Sequence, residues 1–519
     1  MHPLKKLPIG YSTLDKIRKD SCVYVDKTHH VAKLVTAGEY YFLSKPRRFG
    51  KSLFLDTLKQ AFLGNKEIFT GLYLENNWDW SIKYPVIHID FAKNEASQDS
   101  NILVEKILSI LDRNATDHGL ELRGSTYTIK FDNLIQDLAN KYQGKLVILV
   151  DEYDKPILDM IDQTDVAIGA RDVLRNLYSC IKANDQYLKF VFLTGVTKFS
   201  KVSLFSGLNN LRDITINNEY ADICGYTQAE LEREFSDRLV DVDRGLLKNW
   251  YNGYNFGGTE IQNVYNPFDI LLFFANDKQY GSYWFETATP TFLIKLLQKY
   301  HFYFPDMEFV EISEVDLLSF DIERIPLLTL LFQTGYLTIK NMRTRGGVLI
   351  YGLGYPNQEV RTCLNNKLAE VGSYDEVKNT NYNKLERALT ANNFEQFGQV
   401  LAGVFAGITH HWYTNNHINE YEGFYCSIVY SYLIGLGFML IAEDVSSQGQ
   451  IDLTMLLDDK TILLEFKLSK TGDAKSAVQQ IKDKNYAAKY VSKGLPIYLI
   501  GISFDTQTRN SHDFLCEKI

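Results

Sequence analysis

The run Tyr40-Tyr41-Phe42-Leu43-Ser44-Lys45-Pro46-Arg47-Arg48-Phe49-Gly50-Lys51-Ser52 constrains this chain more than any other stretch. Its aromatic, apolar start reads as a buried strand, and the apolar residues of 52–60 recur at helical spacing. Between the two lies a basic loop ending in Gly50-Lys51-Ser52. Strand, Gly-Lys-Ser loop, then helix is the context of a phosphate-binding loop, G-x-x-x-x-G-K-[ST], with Lys45 standing where the first glycine is expected. Backbone N–H groups at such a helix start hold phosphate oxygens. On this reading Lys51 reaches the β- and γ-phosphates of ATP, the Ser52 hydroxyl ligates Mg²⁺, and Gly50 lets the backbone come close. Pro46, the basic pair Arg47-Arg48 and Phe49 replace the usual first half of the loop. Taken alone, the fragment reads equally well as a basic surface loop.

Two further strands decide between these readings. The apolar 146–150 runs into Asp151-Glu152, the arrangement in which an acid at a buried strand end holds Mg²⁺ together with Ser52. Glu152 would orient and deprotonate the attacking water. The strand 188–194 follows, and Thr194 and Thr197 at its end are candidates to contact the γ-phosphate or the water, Thr197 being expected closer to the loop. Strand 86–91 and helices near 28–37, 101–113 and 169–183 complete an alternation that predicts a parallel sheet covered by helices. Arg212 is a candidate charge-stabilising residue or, equally, half of a structural salt bridge.

With 519 residues, 45% of them hydrophobic and 13% aromatic, the chain can bury more than one core. A net charge of −9 excludes a uniformly basic nucleic-acid coat, though not a local basic patch. The six cysteines lack ligand spacing, which argues for a reducing compartment and against a zinc site. With neither a signal core nor an eighteen-residue apolar run, the expected location is the cytoplasm, with no membrane partner. A homo-oligomer is compatible with the sequence.

The middle of the chain reads as helical. A helix at 326–334, ended by Gly335, precedes segments 336–340 and 348–351 around a turn at Arg343–Gly347. That order resembles a winged helix or lid, or a structural hairpin between domains. Residues 240–400 carry no chemistry legible from residue type. In the last region two strands, 449–457 and 461–468, form a hairpin around Asp458-Asp459, followed by a helix at 473–492 and a strand at 497–502. Asp452 lies beside Glu465-Phe466-Lys467, where Glu465 and Lys467 share one strand face. Two carboxylates and a backbone carbonyl suit Mg²⁺ or Mn²⁺. The lysine can activate water and stabilise charge on a scissile phosphate. Gln480 on the following helix can help place the nucleophile. Glu422 is a candidate further metal ligand, and Glu443 a weaker one. An exposed cross-strand ion pair is the alternative for Glu465 and Lys467. Residues 460–493 hold eight lysines against three carboxylates, a candidate phosphate-backbone footprint or a solvated helix face.

The 42–52 run resembles the bacterial AAA-ATPase-like domain. So do Leu7-Pro8-Ile9-Gly10, Tyr24-Val25-Asp26-Lys27-Thr28, Leu149-Val150-Asp151-Glu152-Tyr153-Asp154, Trp250-Tyr251-Asn252-Gly253-Tyr254 and Val264-Tyr265-Asn266-Pro267-Phe268. The loop of that family also lacks the first glycine. Gly449-Gln450-Ile451-Asp452, Glu465-Phe466-Lys467 and Gln480 to Tyr486 resemble the PD-(D/E)XK nuclease superfamily domain that accompanies it. The resemblance implies ATP binding and a restriction-enzyme-like core acting on nucleic acid, DNA before RNA, with defence against foreign or mobile DNA suggested by architecture only. The expected architecture is α/β: a P-loop NTPase domain at 1–225, a helical, winged-helix-like region at 226–380 and a restriction-endonuclease-like domain at 381–519. Two functions follow. One is an ATPase coupled to a metal-dependent DNA endonuclease. The other is a nucleotide-dependent switch or scaffold whose C-terminal domain binds nucleic acid or a partner without cutting.

Overall fold

Runs of buried apolar residues become the inner strands of two five-stranded sheets, and more polar segments their edges. The structure, a computed structural model, describes residues 4–92, 100–161, 163–199, 204, 208, 210–258, 261–288, 303–318, 320–323, 325–369, 375–406, 422–446 and 448–519. Its contacts divide into two compact units, Met1–Phe292 with Glu311–Asn357, and Leu293–Val310 with Gln358–Ile519. No described helix is long and apolar enough to cross a membrane.

In the first unit the strands are β1 (Tyr40–Ser44), β2 (Val86–Asp90), β3 (Leu146–Asp151), β4 (Leu188–Gly195) and β5 (Arg212–Asp213). All neighbours are parallel, in the order β2-β3-β4-β1-β5. Every residue of β1 and β3 is buried, which is why both read as continuous apolar runs rather than alternating ones. The chain leaves β1 for β2 at the far edge and returns through β3 and β4, so β4 separates the loop-bearing strand from the acidic one. The carboxyl ends of β1 and β4 flank the crevice where connections depart in opposite directions, the usual ligand position of an open parallel sheet. The Lys51–Phe62 helix packs on β3 and β4, and helices Ser100–Asp117, Tyr127–Lys141 and Thr164–Ala183 pack together. The two outer ones extend the stretches expected at 101–113 and 169–183, and the middle one has no counterpart in the sequence reading.

The rest of this unit is largely helical. Helices Gln228–Glu234, Arg244–Tyr251 and Pro267–Ala275 enclose an apolar core that includes Leu231, Phe235, Leu247, Tyr251, Ile270 and Phe273. The Leu327–Thr334 helix ends at Gly335 in the left-handed conformation (φ 94°), as its position suggested. Strands β6 (Val310–Ser313), β7 (Thr338–Arg345) and β8 (Val348–Gly354) form a small sheet in the order β6-β8-β7. The turn expected over Arg343–Gly347 is shorter. Arg343, Thr344 and Arg345 pair with β8, and Gly346-Gly347 alone (φ 59° and 82°) make the reversal, as a two-residue hairpin with both central φ positive requires.

The second unit carries β9 (Met439–Ser446), β10 (Gly449–Leu456), β11 (Thr461–Leu468), β12 (Ile497–Asp505) and β13 (Asn510–Lys518), ordered β13-β12-β11-β10-β9. Only β11 and β12 are parallel, and the helix Ala474–Asp483 lies on the crossover between them. The single helix expected at 473–492 is broken: Ala474–Asp483 ends, Asn485 takes φ 48°, and a short Ala488–Val491 helix follows. The break lets Tyr486, Ala487 and Tyr490 fold back into the core with Val478 and Ile481. Gly501 of β12 pairs with Glu465 of β11 and lies under the crossover helix, where an added Cβ would sit 2.1 Å from the Ala474 carbonyl oxygen. Gly501→Ala must therefore push that helix off the sheet. We expect a destabilisation of about 1–3 kcal/mol, read by calorimetry as a lower melting temperature of the second unit.

Candidate active sites

The loop after β1 begins one residue later than the usual pattern. Lys45 continues the strand, its N–H donating to the Gly195 carbonyl (3.2 Å). Its side chain is fully buried, with Nζ donating to the Thr215 carbonyl (3.0 Å) and lying 3.6 Å from the centre of the Phe256 ring. Burial pushes the Lys45 ammonium down to about 7. Lys45 is not among the residues of positive φ, so its backbone needs no glycine and the missing first glycine has a structural reason. The turn itself uses Arg48 (φ 66°) and Gly50 (φ 93°), both left-handed, on either side of Phe49. Phe49 is buried against Tyr254 and Phe256 (ring centroids 4.8 and 5.6 Å). Trp284 Nε1 donates to the Arg47 carbonyl (3.0 Å), and Gly335 lies so close to Pro46 that an added Cβ would be 2.7 Å from it. These braces come from the stretch where residue type showed no chemistry. The Trp250–Tyr254 and 264–268 motifs were the signal that could have found some of them.

Gly50 precedes the Lys51–Phe62 helix, whose first residue is the lysine. Lys51 is buried, and its Nζ donates to the carbonyls of Lys45 (2.9 Å) and Pro46 (2.8 Å). Burial lowers its proton affinity, and the nearby Glu152 and Asp151 carboxylates oppose that shift. Arg47, Arg48, Gly50, Lys51, Ser52 and Glu152 line one cavity of ≈ 420 Å³. Glu152 has a left-handed backbone (φ 51°), an uncommon conformation for glutamate, and burial raises the pKa of its carboxyl group. Asp151 is buried, and its Oδ1 accepts from the Thr194 hydroxyl (2.5 Å) and the Glu152 N–H (3.1 Å). Thr194 is thus the threonine joined to the acid. Thr197 spends its N–H (2.6 Å) and hydroxyl (2.7 Å) on Asp154 instead. Asp154 was not read from sequence as a site residue. It also accepts from the Val196 N–H (3.0 Å) and so fixes the chain leaving β4. Arg212 pairs with Glu219 (3.6 Å), the salt-bridge alternative.

In the second unit the constellation forms where a ladder opens. The β10–β11 pairing runs from Leu456–Thr461 to Leu453–Leu464 and stops there. One step further, the Phe466 N–H donates to Asp452 Oδ2 (2.7 Å) and the Asp452 N–H to Glu465 Oε2 (3.4 Å). Backbone donors that a continued ladder would use are turned on the two carboxylates, which brings them together. Lys467 Nζ lies 3.2 Å from Glu465 Oε1, and Gln480 Nε2 donates to the same oxygen. Glu422, at the start of the Glu422–Gly435 helix, accepts from the Leu468 N–H (3.2 Å). Four of the residues expected together, Asp452, Glu465, Lys467 and Gln480, are therefore joined by hydrogen bonds, and Glu422 reaches the same end of β11 through the Leu468 N–H. Glu443 lies on β9 with φ 45° and is exposed.

Electrostatics mark the same spot. Burial first, then repulsion from Glu422, pushes Asp452 up to about 6 against the Phe466 N–H. Burial and then Asp452 push Glu465 up to about 7 against Lys467. A buried and a half-buried acid facing one another call for a proton or a cation between them, and an all-oxygen donor set suits Mg²⁺ or Mn²⁺. The lysine-rich stretch is less available than its count suggests. Lys460, Lys467, Lys482 and Lys489 pair with Asp459, Glu465, Glu517 and Asp444.

Comparison with known proteins gives three matches. The family model described as "Predicted AAA-ATPase" matches residues 8–205, and that of the PD-(D/E)XK nuclease superfamily matches residues 420–514. An "Uncharacterized protein in vnfD 5'region" of Azotobacter chroococcum mcd 1 is 43% identical over 521 residues, covering 99% of both chains.

Two outcomes are expected. Lys45→Gly, which restores the usual first glycine, removes a buried hydrogen bond and the contact with Phe256. It should lower stability by about 2 kcal/mol, seen as an earlier unfolding transition in denaturant. For the carboxylates, raised folded-state values mean that the native state binds more protons than the unfolded chain, whose acids titrate near ~4. Their stability contribution is present below that value and lost as pH rises through about 6 and 7. In EDTA-treated protein the second unit should melt lower at pH 8 than at pH 5, and Asp452→Asn should flatten that slope. Mn²⁺ should raise the melting temperature more at pH 8, because its ligands must be deprotonated.

Proposed function

We propose that this chain, which belongs to the predicted AAA-ATPase family and carries a C-terminal PD-(D/E)XK nuclease superfamily domain, is an ATP-controlled, metal-dependent DNA endonuclease. The observation that carries the reading is the opened β10–β11 ladder, where Asp452 and Glu465 meet beside Lys467 and Gln480. A pair of structural ion-pairing residues would not need two backbone donors diverted to hold two acids together.

The roles follow from position. Asp452 and Glu465 would hold Mg²⁺ or Mn²⁺, with Glu422 as a further carboxylate. The ion would polarise the scissile phosphate. Lys467, with its ammonium already on Glu465, orients the attacking water and neutralises charge that builds on the phosphate oxygens. Gln480 holds Glu465 from the other side and sets the place of the nucleophile. Water adds to phosphorus, the phosphodiester P–O bond breaks, and the leaving oxygen gains a proton.

In the first unit the loop backbone and the helix start take the phosphates of ATP, and Lys51 neutralises them. Ser52 and Asp151 would hold Mg²⁺, which would offset the charge of the phosphates. Glu152, strained and desolvated at the cavity wall, is the base for the hydrolytic water. Thr194 positions Asp151 rather than touching the nucleotide. ATP turnover sets when the nuclease cuts.

Supercoiled plasmid incubated with Mg²⁺ or Mn²⁺, with and without ATP, tests the reading. Wild type should nick it in an ATP-modulated way. Lys467→Ala should bind ATP normally and not cut. Glu152→Gln should bind ATP but hydrolyse it roughly 10²–10⁴-fold more slowly. Unmodulated cutting, or cutting at wild-type rate by Lys467→Ala, would reject the assignment. No cutting by any form, with ATP bound, would favour the nucleotide switch.

A further inference from the structure

Two adjacent histidines lie in the first turn of the Thr28–Ala37 helix, and neither has a role in the phosphate or nuclease chemistry. Side chains of consecutive helical residues point about 100° apart, so such neighbours do not normally face one another. Here the His29 and His30 rings stand 4.1 Å apart, centre to centre, and 38° from parallel. Asp222, which follows the short Asn218–Tyr220 turn, meets them, with its Oδ1 3.1 Å from His30 Nε2. One donor atom from each of the three residues falls within 4.8 Å of the other two.

Their surroundings hold the three in place. Asp26 accepts the Thr28 N–H (2.8 Å) on one carboxylate oxygen and the Tyr73 N–H (2.7 Å) on the other. That fixes the helix start and brings Tyr73 edge-on to His29 (6.2 Å, 82°). The His30 ring is buried beside Tyr220 (6.0 Å). Its Nδ1 is buried without a hydrogen-bond partner, so packing alone would be better served by an apolar side chain. Lys27 and Lys33 form their ion pairs with Glu230 (2.7 Å) and Glu219 (3.7 Å), not with Asp222. Burial, and then the neighbouring His30, hold the His29 imidazole below its usual range, which favours the neutral form that binds metals. Burial works to raise the Asp222 carboxyl, yet the His30 hydrogen bond and Lys27 carry it below the ordinary carboxylate range, so it stands as an anion.

Two imidazoles and one carboxylate suit a late first-row metal ion such as Zn²⁺, whereas Mg²⁺ takes oxygen donors. Around a tetrahedral ion with metal–ligand bonds of about 2.0–2.1 Å, the donors stand about 3.3 Å from one another. The His30–Asp222 separation of 3.1 Å already matches that edge, and the half-exposed His29 ring closes on it by side-chain rotation. We propose that His29, His30 and Asp222 form a transition-metal site of the Zn²⁺ class, with water in the fourth position. The site uses no cysteine, so the scattered cysteines of this chain do not bear on it. The Asp222 side chain is 37% exposed, which gives the ion and its water a way in. A helix start carries partial positive charge that opposes a cation, and the anionic Asp222 offsets it. The ion ties the Thr28–Ala37 helix to the chain leading into Gly225, whose N–H donates to the Phe49 carbonyl (3.3 Å), and so stiffens the support of the phosphate loop.

The test is binding of Zn²⁺ and Co²⁺ to the untagged full chain, in excess Mg²⁺ to fill oxygen-donor sites, by calorimetry and by the visible absorption of Co²⁺. Wild type is compared with His29→Ala and Asp222→Ala, both at half-exposed positions, with circular dichroism reporting folding. Each variant should bind Zn²⁺ roughly tenfold or more weakly than wild type. Zn²⁺ should raise the melting temperature of wild type more than that of either variant. Failure of wild type to bind Zn²⁺ or Co²⁺ would overturn the proposal. Equal affinity in wild type and both variants would overturn it too, since the ion would then sit elsewhere, as on the carboxylates of the second unit. His29→Gln, which keeps a polar side chain without the imidazole, should show the same loss and serves in place of His29→Ala if that variant does not fold.

Discussion

Burial of Phe49 is the interaction on which the first unit's chemistry depends. The loop must present Arg48 and Gly50 outward while the residue between them turns in, and only a left-handed backbone on both sides does this within so short a span. Gly50 adopts that conformation freely, whereas Arg48 does so at a cost of about 1–2 kcal/mol. Full burial of a phenylalanine side chain contributes about 1.5–3 kcal/mol, enough to hold the strained residue in place. The ring needs a socket, and Tyr254 and Phe256 supply it from two hundred residues away in the chain. The helical region is thus part of the phosphate loop's construction.

Lys45 belongs to the same economy of space. Glycine at that position normally frees the backbone to begin its turn. Here residue 45 still hydrogen-bonds to β4, the lysine stem fills the space beside Phe256, and the reversal is handed to Pro46, Arg48 and Gly50. The departure from the usual loop pattern and the aromatic socket are two views of one packing solution. A chain lacking Phe256 would have little reason to keep a lysine buried in that place.

Much of this was legible in sequence, and the limits have physical causes. Strand, Gly-Lys-Ser loop and helix are local, so 40–62 could be read directly, as could the acid at the end of β3. The hairpin was legible through its two apolar strands, the shared face of Glu465 and Lys467 through their two-residue spacing, and Gln480 through the helix that follows, whereas the opening of the ladder beside Asp452 was not. What escaped were contacts between residues remote in sequence: the aromatic socket, Asp154 holding Thr197, and the Tyr127–Lys141 helix, whose type only its packing makes evident. The helix break at Asn485 escaped for another reason. Periodicity alone supports a continuous helix there, and only the demand of the core for Tyr486 and Tyr490 ends it.

The lysine-rich stretch shows how a composition signal is transformed by folding. A count of charges treats each lysine as free to meet a phosphate, yet Lys482 and Lys489 are already opposite Glu517 and Asp444, and Lys460 is buried beside Asp459. An exposed pair of this kind is worth little, about 0–1 kcal/mol, so a polyanion can compete for Lys482 at small cost. The pair made by Lys489 differs, because Asp444 is buried and also accepts from Thr454 and Tyr490. Removing that lysine to a phosphate would leave a buried carboxylate short of its counter-charge. The positive charge left free on this stretch is therefore graded by the burial of each lysine's partner, and the sequence count is its upper bound.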